Sequence, residues 1–295
     1  NEAEYTLVDL ANNLNSSWEN IKGLCYKKNK KIHCNPPREM IHNLDELPFP
    51  AWHLLDKEGL VEEAKRSPFV MRRPVGAMVT SRGCPNNCYF CSVRKIWSRK
   101  WRARSPENVI DELKILRYKY RRKYIDFLDD TFTLDKKRTI EICRLIKEEG
   151  IDISWECATR VDLFDRELAT ALKNAGCVNV YLGIESGVQK SLDFINKGIK
   201  IEDSIKAVKI AKNAGLTVES NFMIGIPGET KESINQTISF AKKLDIDFLS
   251  FTILTPYPGT EIYEYAKKNK LLLTNNWSRY NIVAVSYTHL TLPTN

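Results

Sequence analysis

From residue 75 onward, short β-branched or aromatic runs alternate with amphipathic stretches of helical periodicity, and the pattern repeats six times. The strand runs are VGAMVTSRG (75–83), YIDFLDD (124–130), DISWECATR (152–160), VNVYLGIES (178–186), LTVESNFMIG (216–225) and DFLSFTIL (247–254). Ser105-Pro106-Glu107, Asp135, Asp165, Asp203 and Thr230 stand at or near helix starts, where a side-chain oxygen can cap free backbone N–H groups. Gly150, Gly176 and Gly215 close the second, third and fourth helices, where a left-handed cap favours a residue without Cβ. Repeated βα units predict an α/β fold with a parallel sheet. Six are too few for a closed eight-stranded barrel but enough for an open, curved one.

Strand alternation then sorts the side chains by face. In the third run Ile153, Trp155 and Cys157 suit a helix-covered outer face, and Ser154, Glu156, Ala158 and Arg160 suit a barrel interior. Tyr181, Gly183 and Glu185 share the inner face of the fourth strand; Glu219, Asn221, Met223 and Gly225 share that of the fifth. Polar groups inside a barrel are costly unless paired or bound to a ligand. They are therefore read as a binding face, near the strand C-termini where barrels carry function.

Residues 1–74 read differently. A helix-like start (EYTLVDLANNLN) leads into GLCYKKNKKIHC, a small hairpin with a Lys-Asn-Lys turn, and then into the proline-rich connector NPPREMIHNLDELPFPAWHLLD. Cys25 and Cys34 face one another across that hairpin, although a disulfide is not expected in a reducing cytosol. After Asn281-Ile-Val the tail VSYTHLTLPTN follows neither the βα rhythm nor a helix ending. It resembles a translated sequencing-adapter tail, so residues 286–295 are set apart as non-native.

Composition adds little. The 295 residues could form one large barrel or two ordinary domains, and no run of about 18 apolar residues and no signal-peptide pattern is visible. The expectation is a cytoplasmic protein. The net charge of +8 is spread as interleaved Lys/Arg and Asp/Glu on helix surfaces, which says little about an acidic partner. Eight cysteines are too sparse for a disulfide scaffold.

Three of the eight, Cys84, Cys88 and Cys91, share one loop, SRGCPNNCYFCS. Three thiolates are one short of closing a tetrahedral zinc site or a four-thiolate iron–sulfur cage, so a metal held here keeps an open coordination position. The Cys-x3-Cys-x2-Cys spacing, with Phe90 before the last cysteine, resembles the radical S-adenosylmethionine (radical SAM) superfamily. The resemblance implies a partial (β/α)6 TIM-like barrel, a [4Fe-4S] cluster on the three cysteines and SAM chelating the fourth iron. It also implies reductive cleavage of SAM to a 5′-deoxyadenosyl radical, in a reducing, oxygen-poor setting with a flavodoxin- or ferredoxin-type electron donor.

The same resemblance distributes roles over the interior residues. Asp129 and Asp130 stand where the family binds the SAM ammonium, in Leu-Asp-Asp-Thr-Phe instead of the usual Gly-Gly-Glu; the alternative is a strand-end Asp capping the next turn. Glu185, in Leu182-Gly-Ile-Glu-Ser-Gly187, corresponds to a ribose contact, and Arg160 to a partner of the methionine carboxylate; the alternative for each is an internal Arg–Glu ion pair. Asn221-Phe-Met-Ile-Gly-Ile-Pro-Gly-Glu229 loosely resembles the adenine-contacting motif, with Phe90, Gly225 and Ile226 as the adenine wall.

The connector, with Leu-Pro-Phe-Pro-Ala-Trp at 47–52, resembles the join between a cobalamin-binding domain and the barrel in the B12-associated branch. No Asp-x-His-x-x-Gly motif occurs, so the expectation is a fragment: a remnant and linker (1–74), a radical SAM core (75–285) and the tail. Cobalamin is a candidate cofactor of the intact protein and is not expected on this fragment. The leading reading is B12-dependent methyl transfer or carbon-skeleton modification of a small-molecule substrate. A tRNA-modifying radical SAM enzyme and a zinc-binding interaction module are the alternatives. The basic, Trp-bearing stretch 93–104 is expected to pack over the cysteine loop with Trp97 and Trp101 inward, and nucleic acid is not expected as a partner.

Overall fold

The computed structural model describes residues 2–54 and 75–281. Its centre is a six-stranded, all-parallel sheet of β3 (Val75–Met78), β6 (Tyr124–Phe127), β7 (Ser154–Arg160), β8 (Cys177–Glu185), β9 (Thr217–Ile224) and β10 (Phe248–Ile253), paired strictly in chain order. No pairing joins β3 to β10 among the described residues, so the sheet is open. Each predicted run coincides with one of these strands, β8 starting one residue earlier than its run.

The helices are α3 (Pro106–Lys114), α4 (Lys136–Glu148), α5 (Arg166–Asn174), α7 (Ile201–Asn213), α8 (Lys231–Lys243) and α9 (Glu261–Lys268), with α1 (Glu4–Asn12) and the short α2 (Val93–Ile96) and α6 (Gln189–Phe194) outside the repeat. Ser105, Asp135, Asp165 and Thr230 cap α3, α4, α5 and α8, each accepting a bond from the N–H three residues on. Asp203 lies one turn inside α7, its carboxylate accepting the Lys200 N–H. Gly150, Gly176 and Gly215 all take positive φ. At Gly176 a Cβ would stand 2.4 Å from the Ile153 carbonyl oxygen, so a side chain is excluded there by space as well.

Between sheet and helices lies the core. Trp155 is fully buried, edge-on to Phe127 at 5.2 Å and tilted against Phe132 at 5.6 Å, while its Nε1 donates to the Ala175 carbonyl at 2.7 Å. Cys143, Cys157 and Cys177 are buried in the same layer, as packing residues. The predicted outer face of the third run is therefore the core face, and its inner face looks into the barrel.

Two departures from expectation have clear causes. The first run does not continue as one strand to Gly83: it leaves the sheet after Met78, and β4 (Ser81–Arg82) pairs antiparallel with β5 (Arg102–Ala103). The Asp129 carboxylate takes the Thr80 N–H (3.0 Å), the Thr80 hydroxyl (2.9 Å) and the Ser81 hydroxyl, pulling this segment across the end of β6. The second concerns the hairpin of β1 (Cys25–Lys28) and β2 (Lys31–Cys34), turned by Asn29 and Lys30 at positive φ. Its register sets Cys25 directly opposite Cys34, and the structure joins them as a disulfide, contrary to the expectation of free thiols. Residues 55–74 and the tail 286–295 lie outside the described residues.

Candidate cluster and SAM site

The cysteine loop begins at the C-terminal edge of the sheet, just past β4. Gly83 turns the chain at φ +89°, and a Cβ there would meet the Lys100 carbonyl oxygen at 2.5 Å, so this turn needs glycine. The loop is then held from outside. Tyr89 N–H donates to the Ile195 carbonyl (2.9 Å), Asn196 Nδ2 to the Asn87 carbonyl (2.8 Å), Arg99 Nη2 to the Pro85 carbonyl (3.0 Å), and the Ile262 N–H to the Tyr89 carbonyl (3.2 Å).

Each of the three sulfurs meets a donor. Asn86 Nδ2 donates to Cys84 Sγ at 3.2 Å, Arg160 Nη1 approaches Cys88 Sγ at 3.8 Å, and the Val93 backbone N–H bonds Cys91. Burial pushes the Cys88 thiol up and the Cys91 thiol to about 11, so a metal would have to displace their protons. A neutral thiol accepts weakly, and donors aimed at sulfur suit thiolates bound to iron, whose charge they moderate. Among the described residues no three His, Cys, Asp or Glu side chains lie close enough to close on one ion. Thiolates serving separate irons of a cluster need not.

The other predicted residues surround this loop unevenly. Asp130 is exposed beside Cys91, close enough for its charge to raise that thiol. Asp129 is 2% exposed and spends its oxygens on Thr80 and Ser81; burial pushes its carboxyl up against those bonds. The adjacent pair is thus split between a free carboxylate and an anchoring one. Arg160 is buried beside Cys88, held by Asp162 at 2.9 and 3.0 Å and by the Lys197 carbonyl at 2.8 Å. Glu185, at φ 70° where the β8–β9 register slips, pairs with Lys197 at 2.6 Å. The internal Arg–Glu pair considered from sequence is therefore two pairs, Arg160–Asp162 and Lys197–Glu185.

Lys197 escaped the sequence reading. Its ammonium lies 5.8 Å from the Phe90 ring centroid and near Cys88, and a buried lysine after a short helix has no sequence signature. Glu229 ends the motif quoted from sequence, but no role was assigned to it there. Its carboxylate accepts the N–H groups of Gly225 (2.8 Å) and Ile226 (3.0 Å), fixing the turn whose glycine sits at φ 95°. Ile226 is fully buried and its N–H is taken by Glu229, so neither its side chain nor its N–H is open at this rim, contrary to the adenine contact expected from sequence. Asn221 bridges to β10, donating to the Thr252 hydroxyl (2.8 Å) and accepting from the Ser250 hydroxyl (2.9 Å).

Half of the basic stretch is consumed internally. Trp97 stacks under Arg82 at 5.1 Å and Trp101 lies 6.0 Å from Arg138; Arg102 bonds Glu2, Arg104 bonds Glu112, and Arg94 pairs with Glu261. The expected packing thus accounts for Arg94, Arg102, Arg104 and the two tryptophans, while Lys95, Arg99 and Lys100 stay exposed.

Comparison with known proteins adds to this geometry. A family model described as the radical SAM superfamily matches residues 78–241, more than half of the chain. An uncharacterized methyltransferase of Pyrococcus horikoshii is 49% identical over 284 residues, which cover 96% of this chain and 60% of that protein. An anaerobic magnesium-protoporphyrin IX monomethyl ester cyclase of Rubrivivax gelatinosus is 30% identical over 83% of this chain and 43% of its own. Among solved structures, the cobalamin-dependent SAM radical enzyme OxsB superposes with a TM-score of 0.77 at 19% identity, covering 98% of this chain and 48% of that one. The chain thus spans about half the length of the relatives it matches.

Proposed function

The chain belongs to the radical SAM superfamily, and from that premise we propose that it is the catalytic core of a cobalamin-associated methyltransferase or cyclase acting on a small-molecule substrate. A [4Fe-4S] cluster with bound SAM would supply a 5′-deoxyadenosyl radical on one-electron reduction. Everything else falls to this chain's residues. Cys84, Cys88 and Cys91 hold the cluster, and the donors on their sulfurs moderate its charge. Asp130 holds the ammonium of SAM, while Asp129 keeps the loop from shifting. Arg160 faces the methionine carboxylate from its seat beside Cys88. Glu185 meets the ribose, and Asn221, Phe90 and the Gly225 backbone meet the adenine, with Ile226 packed behind them.

The observation that carries the reading is the loop itself: three cysteines at the C-terminal edge of the sheet, each sulfur already met by a donor. The 49% identity to a methyltransferase supports methyl transfer, and the Leu-Pro-Phe-Pro-Ala-Trp connector supports association with a cobalamin domain. The electron would come from a flavodoxin- or ferredoxin-type protein. Among the described residues no helix is long and apolar enough to cross a membrane.

The test is anaerobic reconstitution of the chain with iron and sulfide, followed by reduction in the presence of SAM. Iron and sulfide in a ratio near that of a four-iron cluster, together with formation of 5′-deoxyadenosine, are the expected results. Zinc retained in place of iron would overturn the assignment.

A further inference from the structure

Beneath the cluster edge the barrel interior holds a cavity of ≈ 410 Å³, whose polar lining includes Asp126, Asp129, Asp130, Glu156, Asn179, Tyr181 and Glu219 and no lysine, arginine or histidine. Strand register stacks these residues in layers. Asp126 pairs with Glu156 and Glu156 with Asn179; one layer up, Ala158 pairs with Tyr181 and Tyr181 with Glu219; above that, Arg160 pairs with Gly183. At about 3.3 Å per residue, Glu219 lies about 7 Å and Glu156 about 13 Å below the Arg160 level. The lining reaches Asp130, the neighbour of Cys91.

A lining of carboxylates alone does not define a site. The second observation is Asn179, 1% exposed and lining the cavity: its Nδ2 donates to Glu156 Oε2 at 3.0 Å, and its Oδ1 is buried without any donor. The donation to Glu156 fixes which way the amide faces, because neither Glu156 nor Glu219 in its ionised form could donate to the oxygen. A buried carbonyl oxygen with no partner costs about 1–3 kcal/mol. Three carboxylates facing one another without a cation raise that cost, and a ligand bearing N–H donors and positive charge removes both.

We infer that this cavity binds the cationic end of the substrate, a primary ammonium or guanidinium group held by Asp126, Glu156 and Glu219 with one N–H to Asn179 Oδ1. This rests on the proposal that the barrel acts on a small molecule, and it narrows that substrate to an elongated one. Its charged end lies about 7–13 Å below the edge where the cluster loop sits. Substrates whose buried end is a phosphonate or a carboxylate are excluded by the same lining.

The probe is agmatine, which carries a guanidinium and an ammonium, with pentanoate as the anionic control, each titrated calorimetrically into the whole chain before and after cluster reconstitution. Agmatine should bind in both states, and Glu156→Gln/Glu219→Gln should weaken it by about 10-fold or more, the scale of a lost charge-assisted bond. Asn179→Leu should weaken it by a smaller factor, and pentanoate should not bind or compete. Circular dichroism of each variant reports whether it is folded. Equal agmatine affinity in the folded double variant, no agmatine binding by the parent, or competition by pentanoate overturns the inference. If the cluster never forms while agmatine still binds, the radical reading falls and the cation site stands. If the cluster forms and cleaves SAM while agmatine does not bind, the inference falls alone.

Discussion

At the C-terminal edge of the sheet Arg160 is paired with Asp162, Lys197 with Glu185, and Asp129 with the Thr80 and Ser81 donors. One and two layers down the same strands, Glu219, Glu156 and Asp126 face a cavity with no cation in its lining. Both regions arise from the same alternation of polar side chains into the barrel. The upper one, Asp130 apart, pairs its polar groups with protein partners and so can hold a fixed loop and cofactor geometry. The lower one leaves its charge to be answered by something that enters. A close-packed wall around pre-paired charges gives position, and an unpaired acidic hollow gives selectivity.

The largest expected effect lies at the edge. Cys84→Ala, Cys88→Ala and Cys91→Ala each remove one of the three protein bonds proposed for the cluster and should abolish iron retention after anaerobic reconstitution. Cys143→Ala, on the core face of α4, should cost packing only and keep the iron. Iron content equal to the parent's in Cys88→Ala would show that the edge does not hold a cluster through these cysteines.

Next comes the pairing itself. The Lys197 and Glu185 side chains are 8% and 12% exposed, so Lys197→Met leaves a carboxylate buried without its cation. Removing one partner of a buried pair typically costs about 3–5 kcal/mol, whereas replacing both can be nearly neutral. A urea midpoint should therefore fall sharply in Lys197→Met and recover most of the loss in Lys197→Met/Glu185→Gln. No recovery in the double variant would mean that Lys197 acts through packing against Phe90 instead.

What could be read from the chain follows the range of the interactions involved. The six strands were legible because alternation, caps and glycines act over a few residues, as did the face assignment of Glu156, Tyr181 and Glu219. The break after Met78 was not, because it is imposed by Asp129 from 49 residues away. Asp126 was within reach: it stands at even spacing from Leu128 and Asp130 in YIDFLDD, which puts it on the face that also carries Glu156. Lys197 was beyond reach, since its partners lie 12 residues back on Glu185 and across the fold on Phe90. The opposition of Cys25 and Cys34 was visible from the hairpin, but a reducing compartment disfavours the bond that the structure records.

The smallest effect tests the lower layer. Burial, with Glu156 and Glu219 opposite, pushes the Asp126 carboxyl up to about 7, and burial beside Glu156 pushes Glu219 up as well. In the unfolded chain an aspartate titrates near 3.9, so between that value and about 7 the folded state holds a proton that the unfolded state has lost. Stability from this group is therefore highest below pH 4, falls as pH rises toward 7, and levels off above. Carboxylates held low by their partners, such as Glu2 and Asp247, tilt the whole-protein curve the other way, so the overall slope is not the test. The difference between the parent and Asp126→Asn is. Between pH 5 and pH 8 the parent should lose stability relative to Asp126→Asn, read from urea midpoints, by an amount on the order of 1–2 kcal/mol after solvent screening. Agmatine at saturating concentration should shrink that difference by supplying the missing cation. Parallel pH curves for parent and variant would mean that the layer is solvated enough to carry its charges unaided, and the contrast between the two levels of the barrel would lose its electrostatic basis.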